Sequence, residues 1–233
     1  PSGEFIIGEG KEEHKLNLPT FYITRFPVTV AQLRASGVQL RDQRTLADSD
    51  NHPARYVAWY QAIEYCNWLD KTLRDSEQTP PELAVKLHQG WRITLPSEAE
   101  WEKAARGVQG QIYPWSDISI DPAYANYRQT EIGDTNAVGC FPEGASPYGA
   151  EEMAGNVWEL TRSLYDEYPY PSDGELLQER ESLQIKSNDK PRILRGGAFS
   201  SDVGWMRCSF RYLYYPNSAG NDFGFRVVVS SLT

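Results

Sequence analysis

Short apolar stretches separated by turn residues open the chain. Glu4-Phe5-Ile6-Ile7-Gly8, Leu16-Asn17-Leu18 and Phe21-Tyr22-Ile23 read as brief strands. Thr29 can cap a short helix over Val30–Ala35 that stops near Gly37. From Ala58 to Leu73 the period changes: Trp59, Ala62, Cys66, Leu69 and Leu73 recur at spacings of three and four, which predicts an amphipathic helix with Cys66 in the core. The clearest local signal is Leu95–Gly107. There Ser97 and Glu100 form a capping box, acidic residues follow where the helix dipole favours them, and Gly107 can take a left-handed stop. Beyond Gly107 the helical period vanishes, so regular structure is expected to be sparse, and no internal repeat is evident. The stretches near 75–90 and 164–190 carry charge and proline without a sustained apolar period, which predicts surface insertions that add loops rather than chemistry.

Composition narrows the picture to one domain over 1–233, since 7 Trp, 14 Tyr and 8 Phe can fill a core of that size and no low-complexity linker divides the chain. No apolar run is long enough to span a bilayer. A net charge of −9 without a basic stripe argues against nucleic acid as a partner. Cys66, Cys140 and Cys208 have no paired spacing, which favours a reducing, cytoplasmic setting over a disulfide framework or zinc knuckle. His14, His52 and His88 are scattered and predict solvated or hydrogen-bonded side chains rather than a metal triad. No signal peptide is legible, and Pro1 as an opening residue leads to the expectation that further sequence precedes it.

Several segments, taken in order, carry a family likeness: Pro27-Val28-Thr29, Tyr65-Cys66-Asn67-Trp68-Leu69, Arg92–Glu102, Tyr113-Pro114-Trp115 and Ala125-Asn126-Tyr127. They continue with Tyr148-Gly149, Met153–Glu159, Arg195-Gly196-Gly197 and Gly224-Phe225-Arg226-Val227. End to end, the chain resembles the formylglycine-generating-enzyme, or sulfatase-modifying-factor, family. The resemblance implies an α+β, C-type-lectin-like fold with little regular structure, a few short helices and a small twisted antiparallel sheet. Within it Trp101, Trp115, Trp158, Gly196 and Gly197 read as scaffold.

In oxygen-dependent members of that family, two cysteines soon after Arg-Gly-Gly bind copper and carry the oxidation, a task that suits soft, redox-active thiolates. The matching positions here are Ser201 and Met206, with Cys208 a single thiol two residues further on. The resemblance therefore implies that neither copper nor formylglycine generation is to be expected. A second branch adds a bundle bearing a three-histidine iron site, which nothing here matches. Another chemistry around Asp202, Glu159 and Tyr212 would lack a legible nucleophile–base pair. The family's calcium loop matches Met153–Glu159, which would offer the carbonyls of Gly155 and Val157, the carboxylate of Glu159 and the side chain of Glu152. A second calcium site is matched only in part, by Asn126 and Tyr127 with Asp134 as a substitute acid.

The C-terminal segment 195–229 has the composition of a paratope, because Tyr gives contact area at low entropic cost while Ser, Gly, Asn and Asp adapt their hydrogen bonds. Candidate ligand-binding residues are Phe199, Ser200, Ser201, Asp202, Gly204 and Trp205, then Phe210, Tyr212, Leu213, Tyr214 and Tyr215, with Asn217, Asn221 and Asp222. This segment also looks like the variable region of proteins diversified by retroelements, with Trp205 and Met206 as fixed positions. The sequence thus predicts a non-catalytic recognition module whose ligand, a protein by preference, is unidentified. The alternatives are a formylglycine-type metal-dependent oxidoreductase with a rearranged site and a structural or regulatory domain of a longer signalling protein.

Overall fold

Phe5 and Ile7 face inward between exposed and half-buried neighbours, the alternation of a one-sided strand, and β1 (Gly3–Ile7) pairs antiparallel with β2 (His14–Leu18). The computed structural model describes residues 1–172, 174–183 and 190–231. A second sheet runs in the order β3 (Phe21–Ile23), β9 (Val228–Ser230), β4 (Arg92–Thr94), so the two ends of the chain meet in it. The third runs β7 (Tyr212–Tyr214), β6 (Arg192–Arg195), β5 (Trp158–Leu164), β8 (Phe223–Gly224). Its β5–β8 pair is parallel, so among the described residues the strands form three small sheets, one of them mixed, within the expected α+β architecture.

Helix α1 (Val30–Ser36) starts at Thr29, whose hydroxyl accepts from the Gln32 N–H while the Gln32 side chain accepts from the Thr29 N–H, and it ends at a left-handed Gly37. Helix α2 (Trp59–Asp75) buries Trp59, Ala62 and Cys66 as the period predicts, with Leu69 and Leu73 half-buried against the same core, and it also buries Tyr65. Burial pushes the Cys66 thiol well up from its usual range, as befits a packing residue. The main core lies between α2 and the third sheet, where Trp59, Trp158, Leu160, Leu194 and Phe225 meet and the Trp59 indole N–H donates to the Thr161 carbonyl at 3.0 Å.

Helix α4 (Glu98–Arg106) carries the predicted Ser97–Glu100 capping box, with bonds of 3.0 and 2.8 Å. Two features differ from expectation. Gly107 takes the positive φ, 68°, expected of a glycine stop, but its ψ of −165° carries it outside the αL conformation. Every residue of α4 is buried, charged ones included, because the acids meet arginines from distant segments. Glu102 lies between Arg106, at 2.7 Å, and Arg195, while Glu98 lies among Arg180, at 3.0 Å, and Arg211. Burial alone would push the Glu98 carboxyl up, but the guanidinium groups of Arg211, Arg195 and Arg180 together hold it below its usual range.

Neither expected insertion is merely a loop. In 75–90, α3 (Pro81–His88) seats Leu87 in the main core. In 164–190, α5 (Gly174–Arg180) follows a buried Tyr170 and brings Arg180 to Glu98, while Asp173 and residues 184–189 lie outside the described residues. An apolar period cannot reveal a segment that enters the core through paired charges. Among the described residues no helix is long and apolar enough to cross a membrane.

Candidate functional site: an aromatic shelf on the C-terminal segment

After β6 the chain turns sharply at Arg195-Gly196-Gly197. Gly197 has φ +73°, and a Cβ there would lie 2.6 Å from the Met206 sulfur, 3.2 Å from the Trp205 carbonyl and 3.5 Å from the Ser201 Cβ. The turn thus packs against Ser201 and Met206, the two positions where the sequence likeness implied redox sulfur. Both are fully buried. The Ser201 hydroxyl accepts from the Ala198 N–H at 2.8 Å, and Met206 packs among Ala125, Tyr127 and Ala154. What stands here is a capped loop and an apolar plug, without a thiolate. Cys208 is sealed nearby, its thiol pushed far up by burial, so it is an inert packing group.

On the outer side the same segment builds a cluster of rings. Trp158, 2% exposed, forms its floor. Tyr212 stacks on it at 5.4 Å, Phe210 lies at 6.0 Å and Trp205 at 6.2 Å. Trp205 in turn stacks with Phe210 and Tyr212 at 6.0 and 6.3 Å, with interplanar angles of 25° and 29°. Trp205 and Tyr212 are 39% and 42% exposed, so apolar area is held open to solvent on a rigid base, while Leu213 and Tyr215, 43% and 52% exposed, stand beside the cluster rather than on it. Polar groups anchor the neighbouring loop. The Ser200 hydroxyl donates to Asp222 at 2.9 Å, Asp202 pairs with Arg128 at 2.8 Å, and Arg128 also bonds the carbonyls of Ser200 and Ser201. Burial raises the Asp222 carboxyl, with the Ser200 bond acting against that rise.

The candidate residues therefore divide. Gly204, Trp205, Tyr212, Leu213, Tyr215, Asn217 and Asn221 are exposed, and Ser200, Asp202, Phe210 and Asp222 are half-buried. Phe199, Ser201 and Tyr214 are not on the surface, contrary to expectation. Tyr214 is 3% exposed and meets Phe223 edge-on, because the strand's pleat turns one of the two consecutive tyrosines inward. Arg128 and Trp158 were not legible as parts of this surface. The first comes from a remote loop, and the second reads from the sequence as scaffold alone.

The calcium-loop residues do not fit a cation. Both Glu159 oxygens are engaged: Oε1 accepts from Arg226 at 2.7 Å, and Oε2 accepts from Arg226 at 2.6 Å and from the Trp101 indole at 2.7 Å. Arg226 thus supplies the positive charge beside Glu159. Glu152 accepts from the Gly139 N–H at 2.8 Å and the Asn156 amide at 3.0 Å, and the Gly155 carbonyl accepts from Val157. At the partial second site, Asn126 is tied to Asn136, Thr130 and the Asp134 backbone, while the Asp134 carboxylate pairs with Arg55. Glu159 and Asp202, named with Tyr212 as candidates for another chemistry, are thus held by separate arginines. Among the described residues no cluster of three or more His, Cys, Asp or Glu side chains could hold a metal ion.

Comparison with known proteins gives a family match, "Sulfatase-modifying factor enzyme 1-like domain", over residues 1–231. "Serine/threonine-protein kinase pkn1" of Chlamydia pneumoniae is 31% identical over 254 residues, covering 96% of this chain and 36% of that protein. "Hercynine oxygenase" of Mycolicibacterium thermoresistibile is 30% identical over 233 residues, covering 91% of this chain and 51% of that protein. The chain thus spans about a third to a half of the length of these curated relatives. Among solved structures, Treponema denticola variable protein 1 shares the fold, with a TM-score of 0.75 over 98% of this chain and 92% of that one at 21% identity.

Proposed function

This chain belongs to the sulfatase-modifying factor enzyme 1-like domain family, and we propose that within it the chain acts as a recognition module without redox catalysis. The observation that carries this reading is a juxtaposition along one short segment. Ser201 and Met206 are buried where copper-binding thiolates would be needed, while Trp205 and Tyr212, beside them, are held out to solvent on a Trp158 base. A rigid exposed aromatic cluster surrounded by adaptable polar groups is the arrangement that concentrates binding energy in a few anchors. The ligand is a protein in this reading. Fold similarity to a variable protein supports the further reading that 195–229 is a retroelement-diversified segment.

Binding partners captured on the full-length chain should be lost with Trp205→Ala/Tyr212→Ala/Tyr215→Ala and kept with a distant surface control such as Lys15→Ala. Equal capture by both variants would refute the assignment of the surface. The enzymatic alternative has a relative such as hercynine oxygenase in its favour. Its test is incubation of the purified chain and copper with a cysteine-containing sulfatase peptide. An aldehyde product there would overturn the non-catalytic reading.

A further inference from the structure

A second site lies away from the aromatic shelf. Lys103, on α4, is 1% exposed, yet its Nζ donates only to backbone carbonyls, of Gly3 at 2.8 Å and Pro1 at 3.1 Å, and otherwise lies over the Phe5 ring at 5.6 Å. Among the described residues no carboxylate lies within ion-pairing distance of it, whereas its helix neighbour Arg106 is paired with Glu102 at 2.7 Å. An ammonium carries three N–H groups, so the two carbonyls leave one donor and the whole positive charge without an anionic partner. Keeping an uncompensated cation out of water is unfavourable, and burial accordingly pushes the Lys103 pKa down.

Lys103 lines, together with Pro1, a cleft of about 400 Å³ between β3 and α4, a volume within the usual range for small-molecule sites. Phe21, Ile23 and Ala104 give it apolar walls, and Tyr22 and Tyr148, 49% and 41% exposed, stand at its mouth. A lysine in the wall of an apolar cleft matches a ligand with an anionic head and an apolar body. We propose that this cleft binds a small monocarboxylate with an aromatic or aliphatic tail, its carboxylate on Nζ of Lys103 and its tail between Phe21, Ile23 and Tyr148. The carboxylate would supply the missing counter-charge through a charge-assisted hydrogen bond, and the tail would cover apolar wall that is now wet.

The test uses the full-length chain with 4-phenylbutyrate as probe and 4-phenylbutyramide as its uncharged control, followed by calorimetry and by backbone amide shifts. Saturable binding of the acid is expected, with shifts at residues 20–23, 103–104 and 148. The amide should bind at least about tenfold more weakly, the scale of one charge-assisted bond. Lys103→Met should weaken the acid by a similar factor and leave the amide unaffected. Should that variant fail to fold, the acid–amide comparison on the unaltered chain and Tyr148→Ala, which trims only the mouth, still decide. No binding of the acid, equal binding of acid and amide, or shifts confined to another surface would each overturn the site.

Discussion

Trp158 and Tyr212 stack at 5.4 Å with an interplanar angle of 27°, one ring sealed in the main core and the other 42% exposed. Tyr212 covers one face of the buried ring, so its loss uncovers Trp158 without removing it from the core. Tyr212→Ala together with Tyr215→Ala should therefore lower unfolding free energy by about 1–2 kcal/mol, the scale of a lost ring stack. Tyr214→Ala, one residue away and buried against Phe223, should cost about 3–5 kcal/mol. Urea denaturation of the two variants distinguishes them, and comparable losses would mean that Tyr212 and Tyr215 also belong to the core.

The bidentate Glu159–Arg226 pair is fully buried, so removing either partner strands the other's charge. Arg226→Met should lower stability by about 3–5 kcal/mol. Since Arg226 already supplies the positive charge that a cation would bring, calcium or a chelator should leave the melting temperature of the unaltered chain unchanged. A calcium-dependent rise would show that the metal competes successfully with Arg226.

Burial pushes the Glu152 carboxyl up to about 7 from an ordinary value of 4.5, outweighing the hydrogen bonds from Asn156 and Gly139 that favour its charged form. The folded chain therefore holds a proton that the unfolded chain has released in this interval. Its contribution is fully present below the unfolded value and is lost as pH rises through about 7, amounting to no more than about 3 kcal/mol. Glu152→Gln, which mimics the protonated form, should flatten this part of the stability profile. The check is urea denaturation at several pH values across the interval, and an unchanged slope in the variant would place its origin elsewhere.

Ser201 and Met206 both pack against the Gly197 turn, so Ser201→Cys/Met206→Cys would set two sulfurs into one buried corner. The double variant should compete with a colorimetric Cu(I) chelator and the unaltered chain should not. Equal competition by both would show a copper site that does not depend on these positions.

Local structure was legible wherever one side chain acts on its own neighbourhood. The Thr29 and Ser97 caps, the α2 stripe and the inward Cys66 all follow from spacings within a turn or two. The features that escaped are those whose meaning depends on a distant partner. Glu98 reads only as an acid that the helix dipole favours, and nothing in the spacing singles out Glu102, until Arg180, Arg195 and Arg211 arrive from elsewhere in the chain. Glu159 likewise reads as a metal ligand until Arg226 reaches it. For the candidate surface, residue types indicated the segment, but only the pleat and the Gly197 turn decide that Tyr215 faces solvent while Tyr214 and Ser201 do not.

The Glu98 and Glu102 carboxylates on α4 hold the aromatic segment at two points, through Arg195 before it and Arg211 within it. The stretch from Arg195 to Arg211 is tethered like a strap fastened at two buckles, with Trp205 turned outward along it and Tyr212 just past the second fastening. Side chains at Trp205 and Tyr212 can therefore be exchanged while the buried charge pairs that hold the segment stay closed.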